Sequence, residues 1–428
     1  MQMISTTDTD FEQRFRAILE DGRDTTTRVD AAVAAIIAEV RAEGDAAVLR
    51  LTARFDRWAP TNAAALRVTP AEIDAATAGI DPALMAALDL AATRIEAFHR
   101  AQMPADLDLP GTDGVALGMR WNALDAVGLY VPGGKAAYPS SVLMNALPAR
   151  VAGVERLAMV VPTPDAALNP LVLAAARRAG VTEIWRIGGA QAVAALAWGT
   201  ESVAPVDRVV GPGNAYVAEA KRQVFGRVGI DSIAGPSEVL ILADGANNPA
   251  HVAMDLLAQA EHDEAAQSIL ITDDAGFAAA VAQAVEAALA TLPRAAIAGE
   301  SWARHGAVIL VRDWGEAVAL TNRLAPEHLQ IMTADPRALF GQIRHAGAAF
   351  LGRHTPEAIG DYVAGPNHVL PTGRTSRFAS GLSVFDFLKR TTWVEADASG
   401  LAAIGPAAVQ LATAEGLGAH AASVAIRL

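Results

Sequence analysis

Over the first hundred residues apolar side chains recur at spacings of three and four, and beyond residue 125 they gather into short unbroken runs. The first texture predicts amphipathic helices and the second predicts buried strands. Phe11, Phe15, Ile18 and Leu19 form one helical stripe that Gly22 ends, and Val29, Val33, Ile36, Ile37 and Val40 form another that stops at Gly44. Asp45 is placed to cap a third helix running towards Phe55. Thr69-Pro70-Ala71-Glu72 has capping-box spacing with proline at the first helical position, and Asp81-Pro82 opens a helix to about His99. A polar connection containing proline and glycine is expected near residues 103–114.

Apolar runs follow at 127–131, 157–161, 183–187, 209–210, 239–242, 268–272, 308–311 and 348–351. Helical stretches separate them, among them 141–152, 168–179, 249–262, 275–290 and 315–323. Strands alternating with helices of ten or so residues predict parallel sheets with right-handed crossovers. The expected fold class is therefore α/β, with two Rossmann-like parallel-sheet domains and small helical N-terminal and C-terminal appendages. The expected division is an N-terminal helical appendage over 1–25, a first Rossmann-like domain of 26–129 with 238–380, a second over 130–237, and a C-terminal appendage over 381–428. The last of these contains Leu382-Ser383-Val384-Phe385-Asp386-Phe387-Leu388 and an alanine-rich helix around 401–415. No short-period repeat is present.

Composition narrows the class of partner. The 428 residues include 34 Lys and Arg against 47 Asp and Glu, a net charge of −13, with 52% hydrophobic and 19% charged residues. That gives ample material for a core, and it argues against nucleic acid or an anionic membrane, both of which reward clustered cations. An acidic chain is compatible with a cationic small substrate. With no cysteine, disulfides, thiolate metal sites and a cysteine nucleophile are excluded, so any metal must be held by His, Asp, Glu, Gln or Asn. The N-terminus has no basic region followed by an apolar one, and no apolar run is long enough to span a bilayer, so a cytoplasmic location is expected.

No P-loop is present and no G-x-G-x-x-G follows any of the expected strands, so a dinucleotide would have to be held by helix N-termini and the glycine loops at 132–134, 188–190 and 211–214. Such loops also occur for purely structural reasons. Gln259 and His262 stand three apart in an expected helix and share a face, where a carboxamide and an imidazole could begin a metal site. Glu261, Asp263 and Glu264 equally suit a solvated helix end. Glu327-His328, after Pro326, is either a carboxylate and imidazole acid–base pair or a surface turn with a capping Glu. Asp361 is either a turn-forming Asx residue or an oxygen ligand, and it lies seven residues before His368. Ser237 precedes an expected strand, and Glu415 and His420 sit on a chain reversal near the C-terminus. Loops at the carboxyl ends of open α/β sheets are the expected place for these groups.

Taken together, several long stretches resemble histidinol dehydrogenases over nearly the whole chain. They include Gly128-Leu129-Tyr130-Val131-Pro132-Gly133-Gly134, Arg186-Ile187-Gly188-Gly189-Ala190-Gln191-Ala192 and Val210-Gly211-Pro212-Gly213-Asn214-Ala215-Tyr216-Val217. Further on come Ile233-Ala234-Gly235-Pro236-Ser237-Glu238, Leu257-Ala258-Gln259-Ala260-Glu261-His262-Asp263, Ala325-Pro326-Glu327-His328-Leu329, Asn367-His368-Val369-Leu370-Pro371-Thr372 and Ala414-Glu415-Gly416-Leu417 with His420. The resemblance implies oxidation of L-histidinol through L-histidinal to L-histidine with two NAD+ in turn. It implies one zinc ion per subunit on Gln259, His262, Asp361 and His420, with Glu327 and His328 catalytic. Substrate contacts would come from Ser237, Gln259, His262, Glu327, His328, Asp361, His368, Glu415 and His420, and NAD contacts from Tyr130, Gln191 and Asn214. It further implies an intertwined homodimer in which His420 reaches the partner's site. One departure is Val363, where many relatives carry cysteine; no role above requires a thiol. The rival readings are a relative oxidising another small alcohol and, from a different class, a metallohydrolase.

Overall fold

The computed structural model describes residues 1–20, 29–111, 113–133, 138–233 and 235–428. The expected stop at Gly22, Gly134 of the first glycine loop, and Ala234 lie outside the described residues. Among those described, the strands are β1 (Gln2–Ser5), β2 (Leu107–Leu109), β3 (Val115–Ala123), β4 (Ala126–Tyr130), β5 (Arg156–Val160), β6 (Glu183–Trp185), β7 (Arg208–Val210), β8 (Gly229–Ile230), β9 (Glu238–Ala243), β10 (Gln267–Thr272), β11 (Ala307–Leu310), β12 (His328–Met332), β13 (Ala348–Leu351) and β14 (Leu388–Ala396). They build a parallel sheet ordered β6-β5-β4-β7-β8, a second parallel sheet ordered β1-β11-β10-β9-β12-β13, and a small antiparallel sheet ordered β14-β3-β2.

Renumbered from its own first strand, each parallel sheet has the order 3-2-1-4-5, with β1 added at one edge of the six-stranded sheet. Both faces of these sheets are covered, so their strands are apolar almost throughout; β4 and β12 are buried at every position and β9 and β10 at all but the first. Neither β4 nor any of the later parallel strands is followed by G-x-G-x-x-G.

The packing differs from the expected division in three places. The helices Asp30–Glu43, Asp45–Phe55 and Pro82–Ala101 join the cores of the five-stranded sheet, Val33, Ile37 and Leu51 sharing one core with Val160 and Trp185, and Leu88 and Ile95 sharing the other with Val127 and Leu129. Residues 30–101 therefore group with 126–230 rather than with 238–380; periodicity shows that a helix has a buried face but not which sheet receives it. The N-terminus is no appendage. β1 pairs with β11, and Phe15 and Ile18 of the helix Phe11–Glu20 pack on Leu240, Ile271 and Ile309. The C-terminal segment is not purely helical either, because β14 pairs antiparallel with β3 over nine residues before the helices Ala398–Ala414 and Gly418–Ala425. Those two helices bury only Gly400, Gly405 and Ala421.

Local signals fare as their chemistry dictates. The Thr69–Glu72 capping box and the Asp81 cap are both made. Asp45 does not cap; it is already helical, and its carboxylate instead accepts from the Ser202 hydroxyl at 2.6 Å.

Candidate active site

Two neighbouring regions hold the residues singled out above. The first lies beyond the carboxyl ends of the five-stranded sheet, where β4 and β7 are adjacent and the chain turns to opposite sides of the sheet. This is the switch point at which open α/β sheets take ligands. Tyr130, the last residue of β4, is buried and its hydroxyl accepts the Gly189 N–H at 3.1 Å. Burial, followed by the nearby Asp56 charge, raises its phenol to about 12, with the Gly189 bond opposing. Gln191 stands in the first turn of the helix Gly189–Trp198, buried, with neither amide atom partnered. Asn214 caps the helix Ala215–Val224 by accepting from the N–H groups of Tyr216 and Val217.

The loop between β7 and Asn214 is held from both sides. The Gly211 N–H donates to Asp231 at 2.8 Å, Lys221 donates to the Gly211 carbonyl at 3.0 Å, and the buried Lys221 and Asp231 side chains form an ion pair. Gly211 has φ of 112°, and a Cβ there would overlap the Tyr130 carbonyl, so only glycine brings this loop so close to β4.

The second region lies at the amino ends of the six-stranded sheet. Ser237 precedes β9 and His328 opens β12, with His328 paired in register to Val239. This overturns the expectation that these groups lie at carboxyl ends. Glu327 and His328 are both buried. The Glu238 N–H donates to Glu327 Oε2 at 2.8 Å, and His328 Nδ1 lies 3.0 Å from the Glu238 carbonyl oxygen. A carbonyl only accepts, so Nδ1 carries the proton and Nε2 carries the free lone pair. Nε2 is buried without a partner, and His328 lines a cavity of about 260 Å³ together with Phe98, Phe350, Asp361, Asn367 and His368. Burial lowers the His328 imidazole to about 4, and it pushes the Glu327 carboxyl well above the usual range. Glu357, which no spacing in the sequence marks, sits 3.7 Å from His328 Nδ1, and burial pushes its carboxyl well up too.

The candidate metal ligands are partly assembled. The helix expected over 249–262 ends at Ala260, so Gln259 lies on it and His262 in the following turn, its N–H donating to the Gln259 carbonyl. Gln259 is fully buried with both amide atoms unpartnered, whereas His262 is exposed. Asp361 lies between two imidazoles: His262 Nε2 is 4.0 Å from its Oδ2, and His368 Nδ1 is 3.8 Å from its Oδ1. His368 Nδ1 also lies 3.1 Å from the Asp361 carbonyl oxygen, and its Nε2 lies 3.5 Å from Ser141 Oγ. The helix that begins at Pro139, after the carboxyl end of β4, thus reaches the groups at the amino ends of the other sheet.

His420 and Glu415 are not part of this assembly. Both are exposed on the C-terminal helices, and neither lines this cavity or the neighbouring one of about 530 Å³ beside His262, Tyr138 and Tyr362. Among the described residues, no three His, Asp or Glu side chains of one chain come together as a metal site. An orphaned, fully buried carboxamide three residues before an imidazole that itself lies 4.0 Å from a carboxylate offers oxygen and nitrogen donors of the kind that suit zinc.

A topological switch point beside a buried imidazole with an open lone pair is an arrangement that suits an α/β enzyme of the oxidoreductase kind. The comparisons name the family. The family model described as histidinol dehydrogenase matches residues 19–428. The chain is 63% identical to a histidinol dehydrogenase of Gluconobacter oxydans over 100% of this chain and 99% of that one, and 63% identical to one of Rhodospirillum rubrum over 98% and 96%. The crystal structure of a histidinol dehydrogenase from Elizabethkingia anophelis superposes with a TM-score of 0.95 at 34% identity, covering 100% of this chain and 98% of that one. The chain belongs to the histidinol dehydrogenase family. Among the described residues no helix is long and apolar enough to cross a membrane.

Proposed function

We propose that the chain is a zinc-containing, NAD-dependent, cytoplasmic enzyme that oxidises L-histidinol through L-histidinal to L-histidine, the last step of histidine biosynthesis. The observation that carries the mechanism is the free Nε2 of His328 facing the cavity while Nδ1–H is committed to the Glu238 carbonyl. NAD+ supplies the hydride acceptor at each oxidation, and zinc supplies a charged anchor for the substrate's amine and imidazole.

His328 does the proton work. Its depressed pKa keeps it neutral and able to accept. In the first oxidation Nε2 takes the hydroxyl proton as the adjacent carbon loses hydride, leaving aldehyde, NADH and a proton. The second oxidation needs the aldehyde hydrate, and Glu327 is suited to take a proton from the attacking water because burial raises the proton affinity of its carboxylate. His328 then takes the proton of the hydrate as the second hydride leaves. Gln259, His262 and Asp361 would hold zinc, and Ser237 and His368 would contact substrate. Tyr130, Gln191 and Asn214 would hold NAD, their placement around one switch point being the support for that part.

Glu415 and His420 belong to the reading through a homodimer in which each tail completes the partner's site. Two facts support it: the tail lines neither cavity, and it leaves Leu411, Ile426 and Leu428 exposed. Absorbance at 340 nm on mixing protein, NAD+ and L-histidinol tests the activity. Two NADH per histidinol are expected, and none after chelation; no NADH from the metal-loaded protein would refute it. Mixing inactive His328→Asn and His420→Asn chains tests the shared site, since hybrid dimers should recover part of the activity. Hybrids that form without recovery would put His420 in its own chain's site.

A further inference from the structure

Among the described residues five that are not glycine hold positive φ, and three of them, Arg57, Asp165 and Ala166, meet at one contact. It joins the turn after the helix Asp45–Phe55 to the loop that leaves β5. The Asp165 N–H donates to the Asp56 carbonyl at 2.9 Å, and the Arg57 guanidinium grips the Asp165 carboxylate through bonds of 2.6 and 3.2 Å. Left-handed backbone at such residues is unfavourable and persists where the surroundings over-determine it, commonly at ligand sites. Here it fixes Asp56, which is 6% exposed and has one carboxyl oxygen without a partner. Thr163, fully buried just beyond β5, has an unpartnered hydroxyl. An unanswered buried acceptor weakens a fold, so a purely structural role for Asp56 leaves the orphan unexplained.

Topology says what would answer it. β5 is the second strand of the 3-2-1-4-5 sheet. In dinucleotide folds an acid past the end of the second strand accepts from the hydroxyls of the adenosine ribose. The acid that the β5 loop itself provides, Asp165, is already spent on Arg57. Asp56, more than a hundred residues upstream, comes to the same place, within electrostatic reach of Tyr130.

We propose that Asp56, with Thr163, binds the adenosine ribose hydroxyls of the dinucleotide and disfavours a 2′-phosphate, making the protein selective for NAD+ over NADP+. The proposal rests on reading the five-stranded crevice as the dinucleotide site. A carboxylate can accept both ribose hydroxyls, whereas a phosphate at the same point would meet like charge. Arg57 offers a 2′-phosphate little, because its guanidinium is engaged with Asp165.

Calorimetric titration of the full-length protein with NAD+, NADP+ and the NAD+ analogue lacking the adenosine 2′-hydroxyl tests this. The unaltered protein should bind NAD+ at least tenfold more tightly than NADP+. Asp56→Ala should weaken NAD+ at least tenfold and the 2′-deoxy analogue, which keeps only the 3′-hydroxyl, several-fold less. Asp56→Asn, which keeps shape and removes charge, should narrow the preference against NADP+ about tenfold, and serves if the alanine variant does not fold. Equal weakening of NAD+ and the analogue, or an unchanged preference in Asp56→Asn, would overturn the ribose assignment. Failure of the unaltered protein to bind any of the three would overturn the dinucleotide reading as well.

Discussion

Around the carboxyl ends of the five-stranded sheet, glycine and the unpartnered buried amide of Gln191 lie at the place where β4 and β7 diverge; at the corresponding ends of the six-stranded sheet the place between β9 and β12 is filled. There Arg353 donates to both carboxylate oxygens of Asp244 at 2.8 and 3.0 Å and to Asn247 at 3.0 Å, while Asn247 donates to the Met332 carbonyl at 2.6 Å. The same strand order thus leaves the unpartnered Gln191 at one switch point and sets a plug of satisfied hydrogen bonds at the other. The six-stranded sheet places its reactive groups at the opposite ends of its strands, on Glu327 and His328. The lesson is that strand order offers a switch point but side chains decide whether it is used. The amino ends of one sheet lie beside the carboxyl ends of the other, so that on the proposed reading substrate and cofactor would meet between them.

The comparison breaks most visibly at the amino ends. His328→Asn should cut NADH formation from histidinol by about 10²–10⁴-fold, while zinc content by elemental analysis and NAD+ affinity stay unchanged; loss of zinc would make His328 a ligand instead of a base. At the switch point of the five-stranded sheet, Gly211→Ala forces the loop away from the Tyr130 carbonyl and should weaken NAD+ at least tenfold by calorimetry; unaltered affinity would remove this loop from the cofactor site. At the plug, Arg353→Ala should lower stability by about 1–3 kcal/mol, read by chemical denaturation, because Asp244 and Asn247 lose their partner. Its NAD+ stoichiometry should stay at one per chain, and a second bound dinucleotide would show the plug to be all that closes an otherwise competent site.

The last effect expected is on pH dependence. His328 titrates near 6.5 when unfolded and at about 4 when folded, so between those values the unfolded chain binds the extra proton. Its burial is neutral for stability above 6.5 and progressively destabilising as pH falls towards 4. The raised carboxyls of Glu327 and Glu357 act in the other direction, losing stability as pH rises above their ordinary range. Thermal melts should therefore show the unaltered protein losing more stability than His328→Asn from pH 6.5 to 4; parallel curves would mean that His328 is not buried neutral.

The parallel strands were legible because burial on both faces leaves runs such as Val239-Leu240-Ile241-Leu242 almost unbroken. β3 carries a strand signal that went unused: Leu117, Met119 and Trp121 alternate with Gly118, Arg120 and Asn122, the period of a half-buried strand. The strand β12 was masked by Pro326 and the charged Glu327-His328 at its start. Motif resemblance picked out the residues that meet in the site, His262, His328, Asp361 and His368, but not the sheet end they occupy. Glu357 and Asp56 carry no signature at all, since each acts through a partner far away in the chain, His328 in one case and the β5 loop in the other.

The pairing of β14 with β3 bears on how the chain is made. Ala123 waits for Leu388, some 265 residues later. At roughly 5–20 residues per second of synthesis, one edge of β3 stays bare for roughly 15–50 s after it is made. Through that interval the growing chain presents an open strand edge with Leu117 exposed on it. Its closure is among the last events of synthesis, and the same event positions the two terminal helices.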